Sequence, residues 1–170
     1  MEFKRCTIYD LPIMMAVSTQ SYSDHYLYLW LDEGREYIQS SFSHEQFTKE
    51  LKDPNALFYL IYYKSAPVGL IKLNINKGIE DYSSQSAMEL ERIYIIKSAT
   101  GRGLGKKAID FVTNLAKEKN KSILWLKTMD SSDALDFYTK LGFQTIAQTR
   151  LDYFNMKEEY RGMYIMSKEI

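Results

Sequence analysis

With 170 residues, of which 45% are hydrophobic and 26% charged, the chain has the size and balance of one globular domain that can bury its own core. Lys plus Arg and Asp plus Glu number 22 each, which excludes a globally basic nucleic-acid binder, so no nucleic-acid partner is expected. The one cysteine, Cys6, leaves no internal disulfide and no thiolate metal cluster, and His25 and His44 are too few for a histidine-rich metal site.

An unpaired thiol suits a reducing compartment, so a cytoplasmic location is expected. The longest apolar runs, such as residues 56–63, fall far short of the roughly 18 residues of a membrane span, and no membrane partner is expected. Lys4 and Arg5 ahead of the apolar residues 11–17 imitate a signal peptide. Asp10 interrupts that pattern and no small-x-small cleavage site follows, so the stretch reads as a buried helix segment. No repeat, low-complexity tract or linker divides the chain, and residues 1–170 read as a single domain.

The first strand is expected over residues 3–8, and a helix from Leu11 with Asp10 as its N-cap. Residues 21–40 mix polar and aromatic side chains (Tyr22, His25, Tyr26, Tyr28, Trp30, Tyr37) and read as a helix-loop-helix excursion. A short helix fits residues 43–52, with Ser43 as N-cap and Gln46 three residues on. Asp53-Pro54-Asn55 stops it. A hairpin follows: residues 56–63, a turn at 64–66, and residues 67–75 returning.

After a polar loop, residues 88–96 alternate as a strand. Strict alternation places Glu89, Glu91, Ile93 and Ile95 on one face and Leu90, Arg92, Tyr94 and Ile96 on the other. A glycine-rich turn leads into a helix over 103–120, whose apolar stripe is Leu104, Ala108, Phe111, Val112 and Leu115. A strand over 122–128, a helix over 132–141 ended by Gly142, and strands over 144–153 and 161–168 complete the chain. The fold class is α/β (α+β): a mixed sheet built of β, helices, ββ, β-α-β-α and ββ.

The informative stretch is Thr100-Gly101-Arg102-Gly103-Leu104-Gly105-Lys106-Lys107, between a strand and a helix. Free N–H groups at a helix start and the positive end of its dipole form an anion site, and glycines let the backbone approach a phosphate closely. A P-loop would need Gly at position 100 and Ser or Thr at 107, and finds Thr and Lys. Gly103-x-Gly105-x-x-Ala108 matches the loose dinucleotide fingerprint. A doubly wound domain does not fit the chain, because about 85 residues of non-matching sequence precede the strand.

From Met88 onward the chain resembles the GCN5-related N-acetyltransferase superfamily. Its acetyl-CoA signature, Gln/Arg-x-x-Gly-x-Gly/Ala, reads here Thr100-x-x-Gly103-x-Gly105. Its second signature, Asn-x-x-Ala-x-x-Phe-Tyr-x-x-x-Gly-Phe, reads Ser131-x-x-Ala134-x-x-Phe137-Tyr138-x-x-x-Gly142-Phe143. The region around residues 88–96 and the helix after it resemble the bacterial PaiA-like polyamine acetyltransferases. The resemblance implies a mixed, mostly antiparallel twisted sheet with helices on both faces. It also implies acetyl-CoA as co-substrate, without a metal.

By the same resemblance, the strand before the glycine turn splays from its neighbour. Backbone groups of Ile93, Tyr94 and Ile95 then meet the pantetheine arm. Thr100, Gly101, Arg102, Gly103, Leu104, Gly105 and Lys106, with Ser131 and Lys140, would hold the rest of the molecule. Glu91 is the first candidate for general base and Glu89 the second. Their alternative role is pairing with Arg92 or Lys72. Tyr138 aligns with the general acid for the leaving thiolate. Cys6 reads as a small core residue, and His25 falls in the segment that walls the acceptor.

The function expected is transfer of an acetyl group to a small amine, a polyamine first. A protein N-terminus or lysine as acceptor, or a silent CoA-binding sensor, stays open. The acidic residues Asp24, Asp32, Glu33, Asp152, Glu158 and Glu159 could attract a polycation. The C-terminal strands offer an edge for homodimerisation.

Overall fold

The computed structural model describes all residues 1–170. Strand β1 spans Glu2–Arg5, helix α1 Leu11–His25, α2 Arg35–Ser41 and α3 His44–Leu51. Strands β2 (Ala56–Tyr63) and β3 (Ala66–Asn74) form the hairpin, and β4 is Ala87–Ile95. Then come α4 (Leu104–Glu118), β5 (Ile123–Met129), α5 (Ala134–Lys140), β6 (Gln144–Arg150) and β7 (Gly162–Glu169).

Several boundaries follow from side-chain chemistry. The first strand stops at Arg5, short of the expected residue 8, because Asp10 folds the chain back. Its carboxylate accepts from the Thr7 N–H (2.9 Å) and hydroxyl (3.0 Å) and pairs with Lys4 (2.7 Å). Asp10 is the N-cap residue of α1, as expected, but its side chain makes no cap there; it closes the capping box of the 3-10 turn Ile8–Asp10, whose N-cap is Thr7. Ser43 does cap α3, accepting from the Gln46 N–H at 3.1 Å. The hairpin turns on Lys64 and Ser65, both at positive φ (51° and 63°), as a two-residue turn matched to strand twist requires.

The seven strands order as β1-β2-β3-β4-β5-β7-β6, and only the β4–β5 pair is parallel. That pair is connected through α4, the crossover a parallel neighbour needs. It is also short. Ala87 to Leu90 pair with Ile123 to Leu126, whereas β4 continues along β3 to Ile95 and β5 along β7 to Met129. Beyond Leu90 the two strands diverge.

At the point of divergence β4 carries a β-bulge. Lys72 pairs with Arg92 and Leu73 with Leu90, so Glu91 is an extra residue without a partner on β3. The bulge reverses the side-chain phase and corrects the alternation expected from the sequence. Leu90, Ile93 and Ile95 pack on the α4 side, with Ile71, Leu73 and Val112. Tyr94 packs on the opposite side with Leu70 and Phe58. On that same side Glu91 meets Lys72 and Arg92 meets Glu50, and the two also approach each other. Ile93 and Ile95 thus do not share the glutamates' face.

Helices cover both faces of the sheet. One core sets α4 and α5 against β2–β5, with Ala108, Ile109 and Val112 buried. The other sets α1 and α3 against β2 and β3, through Met14, Val17, Phe47 and Leu60. Where β3 meets the far end of β4, Gly69 leaves no room for a side chain. A Cβ there would lie 2.4 Å from the Tyr94 carbonyl oxygen and 3.0 Å from the Ile61 side chain. Gly69→Ala is expected to lower unfolding free energy by about 1–3 kcal/mol in urea denaturation; an unchanged midpoint would contradict this packing.

Candidate active site

The divergence of β4 and β5 opens a cleft of about 490 Å³. Glu89, Glu91, Arg92, Ile93 and Tyr94 line its β4 side, and Lys127, Thr128 and Met129 its β5 side. Tyr138 of α5 lines the cleft too. Tyr22 of α1, Tyr26 just after it, Trp30, Tyr37 of α2 and Tyr153 form an aromatic wall. Residues more than 120 positions apart, such as Trp30 and Met156, meet here because α1, α2 and the β6–β7 loop fold over one mouth. The Trp30–Met156 bridge and the Leu31 N–H to Asn155 carbonyl bond (2.8 Å) fasten those segments together.

Beneath the cleft runs a charged network that spans three elements. Lys72 contacts Glu50 (3.0 Å) and Glu91 (2.8 Å). The Arg92 guanidinium clasps Glu50 with two bonds of 3.0 Å each, and lies 3.4 Å from Glu91. Asn74 donates to Glu89 (2.6 Å) and Glu91 (2.7 Å). Burial works against ionisation of Arg92, but Glu50 and Glu91 outweigh it and hold its pKa above the usual value. Burial likewise opposes the Glu50 charge. Arg92, Gln46 and Lys72 overcome it, and its pKa lies below the usual carboxylate range.

The two candidate bases differ. Glu89 is buried, and its carboxyl pKa is pushed up by that burial, with the neighbouring Glu91 charge adding to the effect. Glu91 is partly exposed and committed to Lys72, Arg92 and Asn74. Burial also pushes up the phenol of Tyr138, as it does those of Tyr22, Tyr26 and Tyr94. Cys6 sits away from the cleft, buried, with its thiol pushed up to about 12.

The glycine turn lies beyond the end of β4. Gly101 and Gly103 both hold φ of 73°, with nothing within 4 Å of where a Cβ would stand. The first bond inside α4 runs from the Lys107 N–H to the Gly103 carbonyl (3.2 Å), so the N–H groups of Leu104, Gly105 and Lys106 have no acceptor within the helix. Gly105 has a packing role: its Cβ would lie 3.2 Å from the Phe137 ring.

The polar side chains of this turn are engaged locally. The Thr100 hydroxyl donates to the Lys97 carbonyl (2.7 Å), Lys106 pairs with Asp110 (2.8 Å), and Arg102 lies over the Tyr63 ring. Lys140 is exposed and, like Ser131, does not line the cleft, whereas Ser132 does. Ile95 is also outside the cleft lining. Its carbonyl is 3.1 Å from His25 Nε2, and the adjacent Lys97 N–H donates to Asp24 (2.8 Å).

Glu50 and Asn74 were missed by sequence reasoning. The Asn74–Glu89 pair follows from strand register, which no motif reports. Glu50 lies three residues after buried Phe47 on the inward face of α3, but its residue type suggests the surface, and only the fold shows it buried against Arg92.

The Acetyltransferase (GNAT) family model matches residues 19–143. An uncharacterized N-acetyltransferase from the pepI 3′ region of Lactobacillus delbrueckii subsp. lactis is 26% identical over 144 residues, covering 82% of each chain. Among solved structures, the PaiA N-acetyltransferase from Thermoplasma acidophilum in complex with coenzyme A superposes with a TM-score of 0.76 at 22% identity, over 99% of this chain and 98% of that one. A ribosomal-protein-alanine N-acetyltransferase from Brucella melitensis gives 0.73 at 16% identity over 100% of both chains. At these identities the solved structures establish a shared fold.

Removing one member of the network strands the others' charge in a buried setting. Glu50→Gln is therefore expected to destabilise the protein by roughly 3 kcal/mol in chemical denaturation; a loss below about 1 kcal/mol would contradict a network that depends on Glu50.

Proposed function

Because this chain belongs to the acetyltransferase (GNAT) family, we propose that residues 1–170 form a single N-acetyltransferase domain whose chemistry occurs in the cleft between β4 and β5. Acetyl-CoA supplies the acetyl group as a thioester. The acceptor is a primary amine, read from the sequence as a polyamine or another small amine. The amine nitrogen bonds the acetyl carbon, the carbon–sulfur bond breaks, the nitrogen loses a proton and the sulfur gains one.

The residues fit that co-substrate. Open space at Gly101 and Gly103, beside unpaired N–H groups of Leu104, Gly105 and Lys106, suits a pyrophosphate. The Thr100 side chain is turned onto Lys97, so the backbone carries this contact. Arg102, Lys106 and Lys140 add positive charge, and Ser131 is assigned to the same molecule. Backbone groups of Ile93 and Tyr94, freed where β4 leaves β5, face the thioester arm. Ile95 contributes less, because its carbonyl is already held by His25.

For the base we assign Glu89 ahead of Glu91, which reverses the order read from the sequence. A carboxylate with a raised pKa is the better proton acceptor, and burial raises that of Glu89. Glu91, neutralised by Lys72 and Arg92, keeps that pair in place. Tyr138 gives its proton to the departing sulfur. Its buried phenol stays protonated, and the same dry surroundings disfavour a free thiolate. The observation that carries this reading is that Glu89 and Tyr138 line one cleft.

A thiol-release assay with acetyl-CoA and an amine panel tests it. Tyr138→Phe should lower kcat about 10²-fold, as should Glu89→Gln. Turnover that survives both substitutions would sink the assignment. The sign for pH follows from the raised carboxyl. Glu89 must be ionised to act, so kcat/KM climbs with pH through an acidic limb above the ordinary glutamate range, and Glu89→Gln should remove that limb.

A further inference from the structure

Resting on the amine-acetyltransferase reading above, we infer that the acceptor is a primary amine bearing an aromatic ring, and not a polyamine. The first ground is charge. The cleft is lined by three cations, Lys77, Arg92 and Lys127, against two carboxylates, Glu89 and Glu91. One ammonium can deliver its proton to that pair. A polyamine brings further ammonium groups, and each would need a carboxylate of its own.

Four of the six acidic side chains that suggested a polycation are already engaged. Asp24 accepts from the Lys97 N–H and from Gln20, each at 2.8 Å. Asp32 caps α2, accepting from Gly34 and Glu36 N–H groups at 3.0 Å. Glu36 accepts from Asn155. Asp152 and Glu158 pair with Arg161. Glu33 and Glu159, like the others, lie outside the cleft lining. The acidic cluster that suggested a polycation in the sequence is therefore largely structural.

The second ground is the wall. Tyr37 stacks on Tyr22 (centroids 4.7 Å apart) and on Trp30 (5.0 Å), and Tyr153 meets both Tyr37 and Trp30 edge-on. Tyr22 and Trp30 are buried. The faces of Tyr22, Tyr37 and Trp30 that a cation would seek are thus turned onto one another. What remains for a ligand is the exposed Tyr153 ring, aromatic edges and the apolar surface of Met156, and this favours another ring.

The test measures kcat/KM for phenethylamine, propylamine and spermidine, with the parent and with Tyr153→Ala. The parent should prefer phenethylamine over either other amine by at least about tenfold. Tyr153→Ala should lower kcat/KM for phenethylamine by at least about fivefold more than it lowers that for propylamine, a split that misfolding would not produce. Spermidine acetylated as well as phenethylamine would overturn the aromatic acceptor and leave the acetyltransferase reading standing. An equal loss on both monoamines in Tyr153→Ala would also overturn it. Turnover of none of the three amines would overturn the small-amine reading itself, and this inference with it.

Discussion

β4 carries one residue more than β3 can pair beside Lys72, and the site depends on that extra residue, Glu91. Without the bulge, alternation would turn Arg92 toward Leu90 and the α4 core. A guanidinium there would have no counter-ion, at a cost of several kcal/mol. With the bulge, Arg92 swings onto the face of Glu89 and reaches Glu50 on α3. The irregularity in the strand and the buried ion network thus require each other. The bulge also lies where β4 stops pairing with β5, so one feature sets both the electrostatics of the cleft and its opening.

The two sides of the cleft are mechanically joined. The last turn of α1, part of the aromatic wall, grips the end of β4 through His25 on the Ile95 carbonyl and Asp24 on the Lys97 N–H. The chain then runs directly into the glycine turn. The acceptor wall and the proposed CoA strand therefore hold a common geometry. This matters for a direct transfer, in which amine and thioester must approach within bonding range in the correct orientation. The network below works toward the same end by fixing Glu91 and Asn74 around Glu89.

The turn at residues 100–107 and the Phe137–Tyr138 helix were legible because they are local: glycine spacing, a strand before, a helical stripe after. The hairpin and the Ser43 cap were legible for the same reason. The phase of β4 was not. Period-2 alternation assumes an uninterrupted ladder, and nothing in residues 88–96 alone marks Glu91 as extra; the reason is Lys72 and Glu50, distant in sequence. Asp10 stands at the N-cap position of α1 as read from the sequence, but its carboxylate turns away from that helix because its partners, Thr7 and Lys4, precede it. The acidic residues near the mouth look free in the sequence and are engaged in the fold, because their partners are backbone N–H groups and Arg161.

The central claim is that acetyl-CoA enters where β4 leaves β5 and rests its phosphates on the start of α4. Amide hydrogen exchange with and without coenzyme A tests this most directly. Protection on binding should concentrate in β4 from Glu91 to Ile95 and in the turn from Gly101 to Lys106, with α3 unchanged. Unaltered exchange in both segments at saturating coenzyme A, or protection confined to other elements, would contradict the account.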